Sequence, residues 1–115
     1  MPNPVAWFEI VGPDAPTLQS FYAQAFDWQI DANNQMNYGM VTSAEGGIAG
    51  GVGPSPDGAP HATFYVSVPD VQAALDKVGD LGGTTVMPPM DVPEGPQIAF
   101  FADPAGNMVG LMKAM

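Results

Sequence analysis

Few residues in this chain can do chemistry, and they fall in two short runs. Trp7 and Glu9 stand two apart in Val5–Val11, and Thr63 and Tyr65 stand two apart in Ala62–Val68, just after the single histidine, His61. Both runs are rich in β-branched and aromatic residues, which predicts strands. Residues two apart in a strand share a face. A carboxylate beside an indole and a phenol can hold a cationic or hydroxylated ligand by charge and cation–π contact. The bland alternative for Glu9 is a rim acid hydrogen-bonded to structure. His61 could act as acid or base if it points towards Glu9 or Tyr65, although its place after Pro60 suits a partly exposed loop end better. No G-x-S-x-G elbow supports a serine triad. One imidazole and scattered acids make a poor transition-metal site. Met40, Met108 and Met112 are candidates for an adaptable pocket lining, with gap-filling core as the alternative.

The charge balance narrows the ligand class. Twelve acidic residues face two lysines and no arginine, a formal net charge of −10. Nucleic acid is excluded as a partner, because a phosphate track needs cations. Without the guanidinium fork, phosphate-rich ligands are disfavoured; the acidic field attracts cations, with simple solubility as the blander reading of the same charge. The run GGIAGGVG lacks the Gly-Lys-Ser/Thr ending of a phosphate loop. With no cysteine, no long apolar span and no leader pattern, the chain is expected to be cytoplasmic, without a membrane partner.

The elements that must position these residues form a repeat. A Pro13-Asp14 break leads into a helix whose face is Leu18, Phe21, Tyr22 and Phe26; Pro69-Asp70 leads into a second with Val71, Ala74, Leu75, Val78 and Leu81. Short strands are expected at Trp28–Ile30, Tyr38–Thr42, Gly47–Val52, Thr84–Met87, Gln97–Phe101 and Met108–Met112. Gly53–Pro60 reads as a loop, and Met87–Pro96 as a long proline-stiffened loop or lid. Superposing the two breaks, 56 residues apart, also superposes Phe8 on Phe64 and Ile10 on Val66. The expectation is one α+β domain of two βαβββ modules, residues 1–53 and 61–115. They form a cupped mixed β-sheet with helices on the outer face. Phe8 and Ile10, and Phe64, Val66 and Val68, should pack under the helices. Trp7, Glu9, Thr63 and Tyr65 should then line a cleft between the modules.

These motifs resemble the glyoxalase/bleomycin resistance/dioxygenase superfamily, the vicinal oxygen chelate group. The carrying residues are Trp7-Phe-Glu-Ile10, Ser20-Phe-Tyr22, Ala25-Phe-Asp-Trp28, Gly47-Ile-Ala-Gly-Gly51, Tyr65-Val-Ser-Val-Pro-Asp-Val71, Leu81-Gly-Gly83 and Asp103-Pro-Ala-Gly-Asn107. The resemblance implies metal-ligand points at Trp7, about Gly50, Thr63 and Gly110. None is a usable ligand, so no metal and no cofactor are expected. Gly110 should instead leave open space for a ligand, with Trp7 as an apolar plate; the alternatives are a glycine that eases a sheet bend and a core tryptophan. The resemblance implies metal-independent binding of a small aromatic or cationic molecule, as in antibiotic-sequestering members, and a homodimer. The alternatives are a metal-dependent lyase, isomerase or dioxygenase with unorthodox ligands, and a degenerate interaction scaffold.

Overall fold

The computed structural model describes residues 2–43, 46–93 and 95–114. The described chain divides into two compact units, Trp7–Thr63 and the remainder from Phe64 onward together with the residues up to Ala6. The elements, in chain order, are β1 (Val5–Gly12), α1 (Ala15–Phe26), β2 (Ile30–Asp31), β3 (Gly39–Val41), β4 (Gly50–Pro54), β5 (His61–Val68), α2 (Val71–Asp80), β6 (Thr84–Asp91), β7 (Gln97–Ala102) and β8 (Met108–Lys113). No helix among the described residues is long and apolar enough to cross a membrane.

Within the first unit the strands run in the order β2-β3-β4-β1. β1 and β4 are parallel, and the other two pairs are antiparallel. Within the second the order is β6-β7-β8-β5, again with one parallel pair, β5 and β8. Each unit therefore repeats the same strand–helix–three-strand topology, as the 56-residue spacing predicts.

The helices begin where the breaks place them. Asp14 accepts from the Thr17 amide at 3.2 Å and Asp70 from the Ala73 amide at 3.0 Å, each satisfying an orphan donor of the first turn. α2 ends in a Schellman motif. Gly82, at φ 100°, donates to Gly79, and Gly83 donates to Val78 at 2.9 Å. Beneath α2 lies a core of Val68, Val71, Leu75, Ala99 and Leu111, with Val66 and Phe101 packed against it. Phe64, expected in that core, is 41% exposed. It is the fourth of the eight residues of β5, and the core with the buried residues of α2 takes Val66 and Val68 from the other half of that strand. Leu81 is also exposed, because the helix has ended before it. In the first unit Phe8 does pack on the helix side, its ring 5.3 Å from Trp28, which stacks on Tyr22 at 5.5 Å.

Several strand bounds differ from expectation. β2 begins at Ile30, and β4 starts later and reaches Pro54. The larger correction is β6. Met87-Pro-Pro-Met90 is strand and not loop, and only 92–96 connect it to β7, with Glu94 outside the described residues. β6 is the last strand in its unit's order, where a proline facing away from β7 costs no ladder bond, and the pairing with β7 shifts between Met87 and Met90, so neither Pro88 nor Pro89 is a register partner.

Candidate functional site

The mixed face of the first unit is organised by a residue whose role the sequence reading did not assign. Tyr38 stands just before β3, and its ring lies across β4. A side chain on Gly51 or Gly53 would collide with that ring. With β4 bare at both positions, the hydroxyl reaches β1, where it accepts from Trp7 Nε1 at 3.0 Å and donates to Glu9 Oε1 at 3.0 Å. Trp7, Tyr38 and Glu9 thus form one hydrogen-bonded chain. Burial, and then the charge of Glu9, raise the Tyr38 pKa well above the ordinary phenol value.

The backbone of Tyr38 is held from both sides. The Asn34 side chain accepts from the Tyr38 amide at 2.9 Å and donates to its carbonyl at 2.6 Å. Gln19 of α1 donates to the carbonyls of Asn37 and Val52 at 3.0 and 2.7 Å, tying the loop to β4. In register around the ring, Asp31, Met40, Gly51 and Glu9 form one row across four strands. Met40 in this row is exposed. The face therefore offers an indole, a phenol and a thioether, with a carboxylate at each end of the row. The signal for Tyr38 was present in the sequence as the spacing Gly51-Val-Gly53, which clears one side of a strand over two successive same-face positions.

The register also fixes the equivalence of the two units. Glu9 pairs with Gly51 as Tyr65 pairs with Gly110, so the first-half counterpart of Gly110 is Gly51. Gly50, the expected position, faces the other way, beneath the Phe8 ring.

In the second unit Tyr65, Gly110 and Phe100 align across β5, β8 and β7, with the Tyr65 and Phe100 rings 5.4 Å apart. Gly110 does not leave open space. Its missing side chain is replaced by the Tyr65 ring, and Tyr65 is only 5% exposed. Tyr65 is thus a packed residue above glycine, and the expectation of a ligand gap there is corrected. Met108 and Met112 share the parity of Gly110 on β8 and are half-buried. Thr63, also half-buried, is the last residue of the first unit. His61 lines a groove with Ile10, Leu18 and Tyr22 at the end of β1 beside α1, apart from the Trp7–Tyr38–Glu9 chain. His61 also lowers the pKa of Asp57, though less than the Ala59 amide and the Ser55 hydroxyl do.

A metal of the kind the resemblance implies does not fit these residues. The four points are an indole, a threonine and two glycines. Aromatic rings cover the glycines, Phe8 over Gly50, Tyr38 over Gly51 and Tyr65 over Gly110, and among the described residues no three His, Cys, Asp or Glu side chains converge.

The family model of the Glyoxalase/Bleomycin resistance protein/Dioxygenase superfamily matches residues 5–111. The chain belongs to this superfamily. It is 33% identical over 94% of its length to "Putative glyoxylase CFP32" of Mycobacterium tuberculosis. It is 32% identical over 91% to "Anthracycline biosynthesis protein DnrV" of Streptomyces peucetius. The matches span 44% and 45% of those proteins, so the chain covers less than half the length of these relatives. Among solved structures, a hypothetical protein from Bacillus halodurans superposes with a TM-score of 0.75 at 12% identity, covering 100% of this chain and 96% of that one. Methylmalonyl-CoA epimerase from Mycobacterium tuberculosis superposes with a TM-score of 0.68 at 12% identity, covering 96% and 87%. These likenesses establish the glyoxalase-type fold.

Proposed function

We propose that this superfamily member binds a small aromatic or cationic molecule, without a metal, on the mixed face of its first unit. The observation that carries this reading is the Trp7–Tyr38–Glu9 chain. A hydrogen bond from a neutral phenol orients the Glu9 carboxylate and leaves its negative charge in place. The indole beside it supplies a flat apolar plate. The Asn34 and Gln19 bonds hold the phenol before a ligand arrives, which lowers the ordering cost of binding. Met40 adds an exposed, deformable apolar contact in the same row. The acidic chain favours cationic ligands at long range. The name of the Streptomyces relative supports the same class, since anthracyclines are fused aromatic molecules.

Calorimetric titration with proflavine, a planar aromatic cation, in the presence of a chelator tests the reading. Saturable binding is expected, weakened about tenfold by Glu9→Gln. Heat no greater than dilution, or binding that appears only when a transition metal is added, overturns it.

A further inference from the structure

The row that crosses the first unit ends in a carboxylate on both sides. Glu9 on β1, Gly51 on β4, Met40 on β3 and Asp31 on β2 are successive register partners. Neighbouring strands lie about 4.8 Å apart, so three intervals put the Glu9 and Asp31 backbones about 14 Å from each other. Between them the row carries no charge. The Tyr38 ring lies over Gly51, and Met40 is 45% exposed. The order across the strands is therefore carboxylate, phenol, thioether, carboxylate.

Asp31 reaches this face through its neighbour. Ile30 pairs with Val41, and its Cγ2 fills the space left by the missing side chain of Gly39, beside Gln19 of α1. Ile30 thus packs on the helix side, and alternation turns Asp31 to the mixed face. Asp31 Oδ1 accepts from the Asn33 amide at 2.9 Å, and among the described residues no hydrogen bond reaches Oδ2. No lysine or arginine lies between Trp7 and Thr63, because Lys77 and Lys113 both belong to the second unit. Asp31 therefore has no such cation to pair with inside its own unit. The helix side of the same strands offers a cation nothing comparable. α1 carries no charge from Ala15 to Phe26, and Phe21 and Phe26 are each 59% exposed, although both were expected on its buried face.

We infer that the ligand of the mixed face is a flat molecule with a positive group at each end, one held by Glu9 and the other by Asp31. The inference rests on the reading of the Trp7–Tyr38–Glu9 chain as a ligand surface and adds a second point of recognition to it. A cation with one charged head meets one carboxylate. A rigid dication that spans the row meets both, and its second contact forms without a second loss of translational freedom. A planar head that donates two N–H bonds suits a carboxylate, as guanidinium does. Tyr38 and Met40 cover the flat body between the heads. The two acids select by length, since a short dication reaches only one of them.

Calorimetric titration at fixed ionic strength compares three probes. Stilbamidine is a rigid aromatic dication with an amidinium at each end. Terephthalamidine carries both amidiniums on one ring, and proflavine has a single charge. Stilbamidine is expected to bind more tightly than terephthalamidine. Asp31→Asn should weaken stilbamidine about fivefold and move proflavine by less than about twofold. The amide keeps the acceptor that the Asn33 amide uses. Asp27→Asn is the control. It removes the same charge at the end of α1, where φ is 57°, a conformation that asparagine accepts, and it should leave stilbamidine unchanged. Saturable proflavine binding with stilbamidine no tighter than terephthalamidine, or with stilbamidine insensitive to Asp31→Asn, overturns the inference and leaves the single-carboxylate reading standing. An equal loss of stilbamidine affinity in Asp27→Asn also overturns it, by assigning the gain to the general acidic field. Saturation by neither proflavine nor stilbamidine overturns both.

Discussion

The Tyr38 hydroxyl reaches the Glu9 carboxylate, 3.0 Å away, by lying over a strand that has no side chain in its path. Gly51 sits beneath the outer part of the ring and Gly53 beneath its inner part. The glycines of β4 are thus as much a part of the candidate site as the three side chains above them.

This contact predicts the cost of changing either partner. Tyr38→Phe removes both hydrogen bonds and leaves the Trp7 indole N–H and Glu9 without this partner. A loss of about 1–2 kcal/mol is expected in urea denaturation. Gly51→Ala must push the ring aside and should cost roughly 1–3 kcal/mol. In a Tyr38→Ala background the Gly51→Ala cost should shrink towards zero, because the clashing ring is gone. Equal costs in both backgrounds would place the strain elsewhere.

The raised pKa of Tyr38 has a definite sign in pH. Folded Tyr38 holds its proton more tightly than the unfolded chain does. Its contribution to stability is therefore complete below the free phenol value and lost as pH rises towards the native one. Tyrosinate absorbance should show no step from Tyr38 while the protein stays folded, so parent and Tyr38→Phe should titrate with equal amplitude until alkaline unfolding. A larger native-state amplitude in the parent contradicts this.

Asp103 offers the opposite case at an exposed turn. The Asn107 side chain and amide, and the Ala105 amide, donate to it at 2.9 Å and depress its pKa. Its stabilising effect is present above the ordinary carboxylate range and lost as pH falls through the native value. Asp103→Ala should make the parent's acid-side loss of stability shallower. An unchanged acid limb would show that this turn does not contribute.

The repeat and its faces were legible because they rest on local signals. The two Pro-Asp breaks, the strand composition and the alternation of Trp7, Phe8 and Glu9 give the topology of each unit and the side on which Phe8 packs. What was not legible depends on neighbouring strands. Tyr38 matters only because β4 runs beside it with glycines in the right register. Gly110 read as an opening because the rotamer of its register partner, Tyr65, cannot be seen in a sequence. Met87-Pro-Pro-Met90 read as a loop because proline is barred from central strands but not from a strand at the end of its sheet order. Phe64 and Phe21 fit the apolar period, yet period does not tell how far along a strand or around a helix the cover extends.

Gly110 can be tested for the role it now has. Gly110→Ala should be destabilised by about 1–3 kcal/mol through displacement of the Tyr65 ring. Gly110→Glu, which restores a carboxylate at the superfamily's metal point, should be worse still and gain no metal affinity. A thermal melt of Gly110→Glu raised by added zinc, nickel or manganese would show that the tyrosine cover yields to a metal.

The central claim is that the Trp7–Tyr38–Glu9 face is a metal-independent ligand surface. The most direct measurement is fluorescence of the Trp28→Phe protein, in which Trp7 is the only indole, titrated with proflavine in chelator. The account predicts saturable quenching of Trp7, with an affinity weakened about tenfold by Glu9→Gln. Quenching that grows linearly without saturation, or that Glu9→Gln leaves unchanged, would contradict it.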